Sequence, residues 1–170
     1  MLPYDNKSEL QIVLDLPEGS TLEATSAAVA DVERYLATVP EATNFASYVG
    51  TASPIDFNGL VRRYGYRRGP HLADVRVNFV PKERRSQQSH AIGLRLRNDL
   101  EAIAKRHRAK LTVVEVPPGP PVLQTLVAEV YGPTPQARQR LAEHMRATFA
   151  STPGVVDVDW YVEAPQPKVR

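Results

Sequence analysis

Cysteine is absent from the 170-residue chain, which removes disulfide frameworks, thiolate metal sites and cysteine nucleophiles at once. Methionine is nearly absent too. Met1 and Met145 are the only two, too few to line a path for a soft metal ion, and Met145 falls on an apolar helix stripe where core packing accounts for it. No apolar run approaches the ~20 residues that span a bilayer, and the polar start from Met1 to Asn6 lacks a signal-peptide pattern. The chain carries no G-x-S-x-G, no G-x-x-x-x-G-K and no G-x-G-x-x-G. Its four histidines, His71, His90, His107 and His144, are too far apart for a helical metal-binding pair. Asp157 and Asp159 share one side of an expected strand, but Val156, Val158 and Trp160 make that an ordinary half-buried strand. No active site emerges, so the sequence reads as a non-enzyme that needs no cofactor.

What is present is enough for a globular core, with 42% hydrophobic and 24% charged residues. Proline is in excess, at 15 residues against a usual ~5%. The net charge of +2 conceals an uneven distribution. Residues 1–61 carry two basic and nine acidic groups, residues 62–110 fourteen basic and four acidic, and residues 111–170 five and six. Such a basic middle block invites a nucleic-acid or anionic-surface reading; the plain alternative is that its cations solvate helix and strand faces. By position the block should leave one face strongly basic.

Hydrophobic periodicity repeats a strand-helix-strand pattern three times. Residues 9–16 alternate with Leu10, Ile12, Leu14 and Leu16 on one side, which predicts a strand. Ser20 and Glu23 have capping-box spacing, Leu22, Val29, Val32 and Leu36 follow on one helical face, and residues 43–49 form the returning strand. In the second unit residues 74–80 alternate through Val75, Val77 and Phe79. Ser89 caps a helix carrying Ile92, Leu96, Leu100 and Ile103, and residues 111–116 close the unit. The third has strands over 126–131 and 155–162 around a helix that begins at Thr134 and Pro135. Two βαβ units make a ferredoxin-like βαββαβ sandwich, an antiparallel sheet with helices on one face. The fold class is therefore α+β, with an additional βαβ half-domain at the end. That half leaves a helix face and a strand edge uncovered, as expected of a piece of a larger protein. The expected domains are residues 1–122 and 123–170, joined by the stiff proline-rich run 117–121.

Residues 51–72 escape the pattern. They exceed what a connection between two sandwich halves requires, and they interleave Ile55, Phe57, Leu60, Val61, Tyr64 and Tyr66 with Arg62, Arg63, Arg67 and Arg68. Disorder does not favour so many large apolar groups, so the loop either packs on a neighbour or presents an amphipathic surface to a ligand. An alternative function for the whole chain is a stand-alone ferredoxin-like binding module for nucleic acid or a small ligand. RNA-recognition domains of this fold stack bases on an aromatic-rich third strand. Here residues 74–80 hold one aromatic and no glycine, so that alternative rests on charge alone.

The opening LPYDNKSELQIVLDLPEGSTLEAT, the stretch YVGTASPIDFNGLVRRY, the segment FVPKERRSQQSHAI and the connector VPPGPPVLQTLVAEVYGP together resemble the acriflavine-resistance type of resistance-nodulation-division (RND) efflux transporter. In that family large periplasmic insertions follow the first and seventh membrane helices, and the match runs over essentially the whole chain at the start of the second insertion. The resemblance implies that residues 8–122 correspond to the first porter subdomain of the C-terminal half, and residues 125–165 to the first half of the next. It implies a homotrimer in a bacterial inner membrane, with this segment periplasmic. The partners would be a periplasmic adaptor, an outer-membrane channel and hydrophobic or amphipathic small molecules, with no nucleic acid. The 51–72 loop falls where the family has a glycine-rich loop between two drug pockets. By position Phe57, Tyr64 and Tyr66 would be apolar contacts and Arg62, Arg63, Arg67 and Arg68 a cationic rim. This loop is longer and richer in arginine than in the best-known pumps and lacks their paired phenylalanines. A loop that merely packs on an adjacent subdomain or protomer remains the alternative.

Overall fold

The computed structural model describes residues 5–61, 66–115, 126–160 and 162, with Phe57 and Asn58 described by their backbone alone. In chain order the elements are β1 (Glu9–Asp15), α1 (Leu22–Leu36), β2 (Ala42–Val49), α2 (Phe57–Val61), β3 (Leu72–Phe79), α3 (Ser89–Arg106), β4 (Lys110–Val114) and α4 (Pro135–Ser151). The chain divides into two compact units, Met1–Leu123 and Gln124–Arg170.

In the first unit the four strands form one sheet in the order β2-β3-β1-β4, every neighbouring pair antiparallel. Alternation decides which side of each strand meets the core. Leu10, Ile12 and Leu14 of β1 and Val75, Val77 and Phe79 of β3 are buried in one cluster with Val29, Val32 and Leu36 of α1 and Ile92, Leu96 and Leu100 of α3. The helices therefore cover one face, giving a ferredoxin-like α+β sandwich. Fully burying each such side chain stabilises the fold by roughly 1.5–3 kcal/mol relative to leaving it exposed.

Local details depart from the sequence reading. Thr21, not Ser20, caps α1: its hydroxyl accepts from the Ala24 amide at 3.3 Å, while Ser20 donates to the Pro17 carbonyl at 2.6 Å. The helix starts one residue later than its capping-box spacing implied, and Leu22 is left largely exposed. Ser89 likewise does not cap α3. It lies inside the first turn, buried, donating its amide to Asn6 Oδ1 at 3.0 Å and its hydroxyl to the Asp5 carbonyl at 3.2 Å.

In the second unit, α4 starts as expected, with Thr134 Oγ1 accepting from the Ala137 amide at 3.2 Å and Pro135 in the first turn. No residue of α4 is buried. The flanks that alternation predicts as strands, 126–131 and 155–162, carry no strand among their described residues. A strand is defined by its ladder partner, and apolar alternation without one leaves Leu126, Val127, Tyr131 and Val156 exposed. Arg146 lies over the Trp160 ring, 4.5 Å from its centroid.

Candidate functional site

The 51–72 loop opens at Gly50, where φ is +75° and an added Cβ would sit 2.8 Å from Leu22 Cδ1. Only glycine passes there without strain. The limbs of the loop meet at its base: the Gly50 amide donates to the Leu72 carbonyl at 2.8 Å, and the Gly69 amide to the Gly50 carbonyl at 3.2 Å. Thr25, buried on α1, donates to the Pro70 carbonyl at 2.6 Å. Between the limbs lies α2, which the sequence reading left as loop. Asp56 starts it, accepting from the Gly59 amide at 2.6 Å through Oδ1.

The outgoing and return limbs are both fastened to the sheet face that the helices leave uncovered. Asp74 and Arg76 alternate with Val75 and Val77 along β3 and so project from that face, beside Val13 and Gln11 of β1 in the register. Asp74 is 1% exposed. It accepts from the Ser53 amide at 3.2 Å and faces Arg67 Nε at 3.5 Å, an ion-pair distance without hydrogen-bond geometry. Arg67 also pairs with Asp15 and donates to the Leu14 carbonyl at 3.2 Å. Arg76 reaches the outgoing limb three times, at Asp56 Oδ2 (2.6 Å), the Pro54 carbonyl (3.2 Å) and Ser53 Oγ (3.3 Å).

Of the residues singled out in the loop, Phe57 begins α2, with its side chain outside the described residues, as are Arg62, Arg63 and Tyr64 entirely. Tyr66 is 77% exposed and Arg68 is exposed. Ile55 and Leu60 are exposed as well. Arg67 differs from the rest: it is half-buried and held by two carboxylates rather than displayed at a rim. The sequence reading missed Asp15, Ser53, Asp56, Asp74 and Arg76. The available signal was Asp74 and Arg76 two residues apart on a strand face opposite an apolar one.

Similar pairing engages part of the basic block. Arg67, Arg76, Arg95 and Arg106 meet Asp15, Asp56, Glu41 and Asp31, all acids of the first 61 residues. At least four of the block's fourteen cations are thus matched by acids of the opening segment. Arg95 donates to Glu41 at 2.6 Å, and that hydrogen bond holds the Glu41 carboxyl below its ordinary range and raises the guanidinium. Between α1 and α3, burial and then the hydrogen bond to Asp99 push the Tyr35 phenol up to about 12. Beneath the loop, a cavity of about 30 Å³, large enough for one water, is lined in part by Gln11, Asp56, Arg76 and Glu115. Among the described residues no group of three or more His, Cys, Asp or Glu side chains could hold a metal ion, and no helix is long and apolar enough to cross a membrane.

No protein-family description matches the sequence, and no curated protein does. Among solved structures the chain is similar to a heavy metal efflux pump, with a TM-score of 0.52 and 17% identity. The two share a fold. The similarity covers 90% of this chain and 16% of the pump, so this chain spans about a sixth of that protein's length.

Proposed function

We propose that this chain is a periplasmic porter segment of a proton-driven RND efflux pump of the acriflavine-resistance type, and that it contributes to the substrate pathway. The observation that carries the reading is the βαββαβ sheet order with a long loop fastened across its helix-free face, in a chain whose fold matches part of an efflux pump over nine-tenths of its length. Residues 1–122 would be the first porter subdomain of the pump's C-terminal half, and residues 123–170 the beginning of the next. Trimeric assembly, an adaptor and an outer-membrane channel belong to the same reading. The cargo is proposed as amphipathic organic molecules rather than soft metal ions. Two methionines and no cysteine supply little thioether or thiolate ligation. By contrast, the loop exposes Tyr66, Ile55 and Leu60 as apolar surface and Arg68 as a cation, a combination that suits broad, weakly specified ligands.

Cysteine is absent from these 170 residues, and the test uses a full-length background from which any cysteine elsewhere has been removed. In cells expressing the full-length protein, a Tyr66→Cys variant should react with a membrane-impermeant maleimide once the outer membrane is permeabilised, and an amphipathic substrate should slow that reaction. Labelling only after the inner membrane is breached would contradict the periplasmic assignment.

A further inference from the structure

We propose that Asp74 and Arg67 form a latch that fixes the base of the 51–72 loop, and that Arg67 is a positioning residue rather than a cation offered to substrate. The proposal rests on the reading of the loop as substrate-contacting.

Asp74 carries the argument. A carboxylate 1% exposed on a strand must have its charge met by a cation; here Oδ2 accepts a hydrogen bond and Oδ1 is met by the Arg67 guanidinium as an ion pair alone. Its partners come from opposite limbs of the loop: the Ser53 amide from the outgoing limb and the Arg67 guanidinium from the return limb, 14 positions later. One buried side chain therefore ties both limbs to the centre of the sheet. Arg67 extends the tie to β1 through Asp15 and the Leu14 carbonyl. Two residues along β3, Arg76 fastens the outgoing limb independently through Asp56, Ser53 and the Pro54 carbonyl. The described residues 53–56 on the outgoing limb and Arg67 on the return limb are thus both anchored to the sheet, so a ligand meeting either limb there has less ordering to impose. An anionic substrate that recruited Arg67 would have to displace two carboxylates and strand Asp74 buried without its cation. Arg68, exposed beside Tyr66, carries no such obligation.

The test uses hydrogen exchange on the 170-residue chain, with binding of the aromatic sulfonate 1-anilinonaphthalene-8-sulfonate as a second readout. Arg67→Met should accelerate amide exchange at residues 51–56 and 66–72 by about tenfold or more, with exchange in α3 unchanged. Should the single variant fail to fold, the double variant Arg67→Met with Asp74→Asn removes the unpaired buried charge and should fold while keeping the fast loop exchange. Both latch variants should bind the probe more weakly. Arg68→Met should weaken binding with loop exchange as in the parent. Parental loop exchange in the double variant would overturn the latch, whatever happens to probe binding. Fast loop exchange with unaltered probe binding in all variants would leave the latch standing and sink the substrate-contact reading instead.

Discussion

Arg67 and Glu41 show how single residues acquire their roles from partners far away in the chain. Arg67 is one of four arginines within seven positions, and nothing local distinguishes it from Arg68. Its partner Asp15 lies 52 residues away. Glu41, in the turn before β2, meets Arg95 across 54 residues. Because Arg95 holds the Glu41 carboxyl below its ordinary value of 4.5, the pair's contribution is complete above that pH and is lost as pH falls through the lower folded value. Arg95 is well exposed, so the contribution should stay below ~1 kcal/mol. Urea denaturation of Glu41→Gln should therefore show a small loss of stability near neutrality that vanishes in the acid range. An equal loss at pH 3 and pH 7 would show that the side chain acts by packing instead.

At the scale of elements, regular periodicity was readable and fine placement was not. Leu10, Ile12 and Leu14, and the stripe Ile92, Leu96, Leu100 and Ile103, identify β1 and α3 from spacing alone, because burial on one side imposes those periods. The start of α1 was misplaced by one residue because Ser20 and Thr21 are chemically equivalent candidates; only the bond to Ala24 separates them. Thr21→Ala should therefore cost about 0.5–2 kcal/mol and Ser20→Ala much less, by chemical denaturation. The reverse order would return the cap to Ser20. The short helix α2 escaped detection because five residues are too few to show a helical period, although Asp56 ahead of it was a cap in plain sight. The strands expected around α4 failed for another reason. Their alternation was real, but a ladder needs a neighbour that pattern alone does not supply. Gly50 belongs to this scale too: Gly50→Ala meets both a left-handed backbone and Leu22, and should destabilise the loop base by more than about 1 kcal/mol in thermal unfolding. A neutral result would mean the β2 end can shift freely.

For the whole molecule, part of the separation of charge along the sequence becomes complementarity in the fold. An acidic opening and a basic middle look like a chain with a basic surface, yet Asp15, Asp31, Glu41 and Asp56 meet arginines of the middle block. The helix-free sheet face, which RNA-recognition domains leave open for stacking bases, is here crossed by the loop, and the lone aromatic of β3, Phe79, sits in the core. Among its described residues the loop exposes Ile55, Leu60, Tyr66 and Arg68, an apolar and cationic set that fits the proposed pathway for amphipathic molecules. The most direct measurement is export in cells stripped of other pumps and expressing the full-length protein that contains this segment, intact or with Tyr66→Ala. The account predicts that the intact protein lowers accumulation of amphipathic dyes in a proton-gradient-dependent way, and that the variant changes export of some dyes more than others. Accumulation unaffected by the intact protein for every amphipathic compound tried would contradict it.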